Sequence, residues 1–240
     1  MKPSLVPNPT VALPPTAHYR VRPRDKRTFL TVLDAHDLFS VEDQRCSAVS
    51  VQRGADAGSI VIEVEHPFRQ GLIRERLTCA QGATGLRATS LDRVVLDVEH
   101  VERRREHVDF SSRTIPLPEA LYPEVMLPFV LRWFPFDGQL RSVYAWMNDR
   151  FVARVYHEQV GETTLDLPIG KRRAIEFMMY PDFGDWVPLG TVLTKLSKAF
   201  VPKYRMWFEP HPPYSVLRFE GPYGPPGSVE IVLELERLEG

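Results

Sequence analysis

The chain has little cysteine, no excess of charge and no long hydrophobic run, and each shortage removes a class of function. Its 240 residues hold two cysteines, Cys46 and Cys79. They have no Cys-x-x-Cys spacing and too few companions for a zinc site or a disulfide framework, so free thiols are expected. Lys and Arg number 30 against 31 Asp and Glu, a formal net charge of -1. Such a balance gives no global basic field to hold nucleic acid or an anionic membrane, and neither is expected as a partner. No segment approaches the ~20 consecutive apolar residues that cross a bilayer. The start, Met1 to Pro15, is interrupted by prolines and has no continuous apolar core of a signal peptide, which makes the cytoplasm the default location.

Motifs are missing as well. There is no Gly-x-Gly-x-x-Gly, no Gly-x-x-x-x-Gly-Lys-Ser/Thr, no His-Glu-x-x-His and no Gly-x-Ser-x-Gly, so no cofactor is expected. Glu75, His100 and His157 make a formally adequate set of one carboxylate and two imidazoles, but without ligand spacing no metal is expected either.

What the chain does have is strand. Residues 1–17 read as a proline-rich arm and residues 18–240 as one β-rich domain. Short β-rich runs occur at Cys46–Arg53, Ser59–Glu65, Leu72–Cys79, Arg93–Arg103 and His107–Ser112, separated by turn-forming residues, which suggests an antiparallel meander. Leu140–Met147 and Arg150–His157 flank Asn148-Asp149, a dipeptide suited to a two-residue hairpin turn. Pairing Met147 with Arg150 predicts one inward face carrying Leu140, Ser142, Tyr144, Trp146, Phe151, Ala153, Val155 and His157. Further strands are predicted at Thr163–Leu167, Lys171–Tyr180, Lys203–Glu209, Tyr214–Glu220 and Ser228–Arg237. A loop or short turn is read at Asp34–Asp43, and a short helix at Gly190–Ala199.

One apolar stretch, Leu121–Phe134, reads as a helix. Pro118 and Pro123 suit a first turn, but Pro128 removes an internal hydrogen bond, so the helix is expected to be broken. From Val125 to Phe134 it is apolar on nearly every side apart from Arg132, which places it inside a sheet. The fold class that follows is mainly β: a large curved antiparallel sheet, barrel- or roll-like, wrapped around one broken central helix.

Some residues stand where an apolar face should continue. Pairing Ser59–Glu65 with Leu72–Thr78 puts Glu75 on the face of Ile73 and Leu77, and alternation in Arg93–Glu102 brings His100 onto the face of Val94, Leu96 and Val98. With Tyr144 and His157 these are the candidate acid/base residues, because a buried carboxylate and a near-neutral imidazole suit proton transfer in a water-poor cavity. A register slip of one residue would turn all of them outward. Candidate ligand contacts are Trp146, Phe151, Arg132, Trp133, Trp186 and Trp207, with Glu209, His211 and Tyr214 bracketing a proline turn at a strand end.

Residues 117–148, with Leu117-Pro-Glu-Ala-Leu-Tyr-Pro123, Leu131-Arg-Trp133 and Gly138, and residues 204–227, with Tyr204-Arg-Met-Trp-Phe208 and Arg218-Phe-Glu-Gly221, resemble a bacterial β-rich family of unknown function whose members are mostly exported. The resemblance implies one curved sheet around a central helix over about residues 45–237 and transfers no catalytic residue. The functional expectation is binding of a hydrophobic small molecule, lipid-, terpenoid- or polyketide-like, in an aromatic-lined cavity. The alternatives are a cofactor-independent cyclase, isomerase or dehydratase in the same cavity, and a structural or partner-binding domain without one.

Overall fold

Alternation of apolar and polar residues drives most of the chain into strands, and each strand buries its apolar face against its neighbours. The computed structural model describes residues 13–23, 46–56, 58–68, 71–82, 85–111, 120–148, 151–182, 204–222 and 230–239. The strands are β1 (Thr16–Pro23), β2 (Cys46–Arg53), β3 (Ser59–Phe68), β4 (Gly71–Gly82), β5 (Gly85–Asp97), β6 (Glu102–Asp109) and β7 (Leu121–Pro123). Beyond the helical stretch follow β8 (Arg141–Asn148), β9 (Phe151–Leu167), β10 (Gly170–Pro181), β11 (Tyr204–Phe208), β12 (Val216–Pro222) and β13 (Glu230–Glu239).

All thirteen form one sheet in the order β6-β5-β4-β3-β2-β1-β13-β12-β11-β10-β9-β8-β7. Sequence neighbours are sheet neighbours except β6 and β7, which stand at the two ends of the sheet, and β1 pairs with both β2 and β13 and so joins two meanders. Every pairing is antiparallel but the short parallel one of β7 with β8. The sheet curls without closing. Its two ends approach where the Tyr122 hydroxyl donates to the Leu86 carbonyl at 2.6 Å and where the Phe110 and Trp146 rings meet edge to face at 5.5 Å.

The expected helix is broken, as the prolines require: β7 passes into a 3-10 turn at Glu124–Met126, one α-helical turn α1 (Leu127–Val130) with Pro128 at its start, and a second 3-10 turn at Leu131–Trp133. This stretch fills the concave side, where Met126, Leu127, Phe129, Val130 and Leu131 are all buried. Tyr19 of β1 packs on Phe129 at 5.9 Å and donates its hydroxyl to the Val216 carbonyl. No helix among the described residues is long and apolar enough to cross a membrane.

Two expectations of register are corrected. Residues Arg93–Arg103 are not one strand: β5 ends at Asp97, whose carboxylate accepts the backbone N–H groups of Glu99 and Val101 and closes a turn, with His100 in the left-handed region at φ 59°. His100 is therefore exposed, not on an apolar face. In the hairpin, Arg141 pairs with His157 and Val143 with Val155, one residue away from the expected register, because of a bulge between Trp146 and Asn148. Val143 and Ala145 consequently point inward, while Ser142 is exposed and Tyr144 only half-buried. The bulge returns Trp146 to the interior at 2 % exposure.

Candidate functional site

The β3–β4 register puts Glu65 opposite Arg74 and Glu75 opposite Val64. This is two residues from the expected pairing, which keeps the parity, and Glu75 does lie on the apolar face at 2 % exposure. Its partners differ from those expected. Arg93, directly opposite on β5, donates its Nε to Glu75 at 2.7 Å and its Nη1 to Glu106 of β6 at 3.3 Å. On the other side His66 Nε2 lies 3.9 Å from Glu75, and His66 Nδ1 lies 3.3 Å from the Ser47 hydroxyl. A polar row thus crosses five strands, from buried Ser47 and His66 through Glu75 to half-exposed Arg93 and Glu106. Burial, with Arg93 adding to it, holds the His66 imidazole down to about 3, so it is neutral and its contact with Glu75 is not an ion pair. Burial raises the Glu75 carboxyl while Arg93 pulls it back. The order Ser, His, Glu is that of a nucleophilic triad, but Glu75 is committed to Arg93 and Ser47 is 1 % exposed, so the row acts as an internal ion-pair and hydrogen-bond brace.

The other candidate acid/base residues do not converge on Glu75. His157 sits on β9 between Phe134, edge-on at 5.0 Å, and Phe177, stacked at 6.3 Å. It is 1 % exposed and neither ring nitrogen has a hydrogen-bond partner among the described residues. Burial, then the charge of Arg141, holds its pKa down to about 4. Tyr144 faces away from Val143 and Ala145 and accepts from Arg154 at 3.1 Å. Among the described residues no group of His, Cys, Asp and Glu is placed to hold a metal ion.

The candidate ligand residues divide between three places. Arg132, Trp133, Glu209, His211 and Tyr214 gather at the turn between β11 and β12. There buried Arg132 donates to the Tyr214 carbonyl at 3.1 and 3.2 Å and its guanidinium lies 5.8 Å from the Trp133 ring. Tyr214, at φ 53°, stacks on Phe136 at 4.5 Å. Burial lowers the Arg132 pKa to about 10, which leaves it charged at neutral pH. The gathering is a latch between the helical stretch and the turn, with His211 exposed to solvent. Trp207 takes the opposite face of the sheet, side by side with Arg205, whose guanidinium and that of Arg218 cover its ring at 4.8 and 5.4 Å. Trp146 is core packing. Phe151 begins β9, its side chain outside the described residues, as are Trp186, Asp149 and residues 1–12, 34–43 and 190–199. The expected cavity bounded jointly by Tyr144, Trp146, Phe151 and Trp207 does not form, because Tyr144 and Trp207 point away from the interior that holds Trp146.

A site the sequence did not single out lies where the 3-10 turn meets the sheet. The hydroxyl of Tyr204, on β11, donates to Glu124 Oε1 at 3.2 Å across 80 residues of sequence. The tyrosine ring fits there because position 221 is glycine: a Cβ at Gly221 would stand 2.8 Å from Tyr204 Cδ1. Around the pair is a cleft with Val125, Pro128 and Phe129 on one side and Met179, Phe219 and Leu233 on the other. Its volume is about 10 Å³, room for one water molecule. Burial raises the Glu124 carboxyl to about 7, only partly offset by the Tyr204 hydrogen bond, and burial with the charge of Glu124 keeps the phenol protonated. A carboxyl inside an otherwise apolar helical stretch was the available signal.

No protein-family model and no curated protein matches this sequence. Among solved structures the chain is similar to a β-barrel-like protein of a domain of unknown function from Brucella abortus, with a TM-score of 0.54 and 10% identity over 95% of this chain and 97% of that one. It also aligns with the lipoprotein YmcC from Escherichia coli, at a TM-score of 0.36 and 11% identity over 95% of this chain and 86% of that one. A third match, to a protein with a YmcC-like fold from Bacteroides fragilis that is named as exported, has a TM-score of 0.31 and 12% identity over 96% and 97% of the two chains. The expectation of a cytoplasmic protein does not stand: it was a default, and the structural neighbours are named as exported proteins and lipoproteins. At these identities the likeness speaks for the fold, and the chain has the open, curved β-sheet architecture of a β-barrel-like bacterial protein of unknown function.

Proposed function

We propose that the protein binds a hydrophobic small molecule where the broken helix meets the concave face of the sheet, with Glu124 and Tyr204 as its polar anchors. The observation that carries the reading is a carboxyl 9% exposed, with one hydrogen-bond partner, in a cleft whose other walls are apolar or aromatic. A core built for stability alone gains nothing from a buried carboxyl, whereas small-molecule sites combine apolar walls with a few polar groups that fix orientation. Val125, the half-buried residue of the wall, forms the lip, and uptake of anything larger than water requires it to move outward. The catalytic alternative has no such support, since its four candidate residues are spread over an exposed turn, two faces of the sheet and a buried ion pair.

A structural or partner-binding domain is the second reading, favoured by the tightness of the same interior, where Trp146, Tyr122, Phe129, Phe208 and Leu131 are almost wholly buried. Native mass spectrometry of freshly purified protein, followed by Nile red titration, separates the two. Saturable one-to-one binding that is lost in Val125→Trp, which fills the lip, is the expected result. A ligand-free mass and no saturable fluorescence would overturn small-molecule binding in favour of the second reading.

A further inference from the structure

Building on the binding site just described, we infer that its ligand is an amphiphile with a protonated primary amine as head group, the ammonium seated against Glu124 and the apolar body against the cleft wall. The geometry selects this chemistry from among the amphiphiles. Glu124 uses one carboxyl oxygen to accept from Tyr204, so Oε2 is left to accept from a ligand donor. An ammonium supplies three N–H donors and a charge-assisted bond, the stronger kind.

The surroundings favour the same sign of charge. No Arg, Lys or His is among the described residues that line the cleft. The rings of Tyr204 and Phe219, 6.2 Å apart, and of Phe129 add negative faces to which a cation is drawn. A carboxylate or phosphate head group would meet the Glu124 carboxyl with no basic side chain among the described residues of the lining, and an alcohol would gain only a neutral hydrogen bond.

The test is displacement of Nile red by decylamine, decanol and decanoate, equal in chain length and different in head group. The amine is expected to displace the probe at ~10-fold lower concentration than the alcohol, the value of one charge-assisted bond over a neutral one, with the carboxylate weakest. In Glu124→Gln the amine should lose its advantage over the alcohol, both being read against that variant's own Nile red binding curve. Should that variant fail to fold, Tyr204→Phe serves instead: it frees both carboxyl oxygens, and the amine preference should hold or grow. Equal competition by all three, or an amine advantage that survives Glu124→Gln or falls in Tyr204→Phe, overturns the head-group inference and leaves the binding site standing. Absence of saturable Nile red binding removes the site itself and the inference with it.

Discussion

Replacing His157 by leucine should make the protein more stable, and more so in acid. The imidazole is 1 % exposed, lies between Phe134 and Phe177, and has no partner for either ring nitrogen among the described residues. A buried polar group left unsatisfied costs ~1–3 kcal/mol, of which the lost ring contacts would return ~0.5–1.5 kcal/mol, so His157→Leu should gain ~1 kcal/mol near neutral pH. The pH dependence adds to this. The folded pKa is held down to about 4 against an ordinary value of 6.5. As pH falls below that ordinary value the unfolded chain takes up a proton that the folded chain refuses, so the wild type loses stability through this window, by ~3 kcal/mol once the folded pKa is reached. His66, held down to about 3, contributes in the same direction and leaves the variant a residual acid slope. Urea denaturation at neutral pH and again near the folded pKa measures both effects, provided the dependence on denaturant is unchanged. A variant less stable than wild type at neutral pH by more than ~1 kcal/mol, a clear loss against the expected gain, would refute the reasoning, because the imidazole would then have a polar partner. Parallel pH profiles for the two proteins would refute the titration argument.

Trp146→Ala should cost ~3–5 kcal/mol in a denaturant melt, because the indole is buried and holds the two ends of the sheet together through Phe110; a cost below ~1 kcal/mol would contradict its placement. Glu75→Gln should cost ~2–3 kcal/mol, since Arg93 would keep only its more exposed partner Glu106, and joint replacement of Glu75 and Arg93 by leucine should recover most of the loss. A double-mutant cycle with no coupling between the two positions would dismiss the polar row as a brace.

Several elements could be read directly. β2 has the bounds that its alternation predicts, and β13 shows Ile231, Leu233 and Leu235 buried against Glu230, Glu234 and Glu236. The broken helix followed from Pro128 alone. The turn after β5 escaped because Val98 and Val101 continue a strand-like pattern; what breaks the strand is the Asp97 carboxylate capping two backbone N–H groups, a local device that hydrophobic periodicity does not register. β1 escaped because it lies beside a proline-rich start, and its strand character comes from fitting between β2 and β13. Glu75 was placed on its true face even though the register was two residues off, since parity survives an even shift, whereas the single-residue bulge after Trp146 reversed Tyr144 and Ser142.

Periodicity and proline act over a few residues of chain, and they were enough for the mainly β character, the broken helix inside the sheet and the burial of Glu75, Trp146 and His157. What those side chains meet depends on the folded sheet as a whole. Glu75 finds Arg93, Arg132 finds the Tyr214 carbonyl 82 residues on, and Glu124 finds Tyr204 80 residues on. Such partnerships are set by strand order, bulges and the curl of the sheet, which sum over the whole ladder and leave no mark at the positions they join.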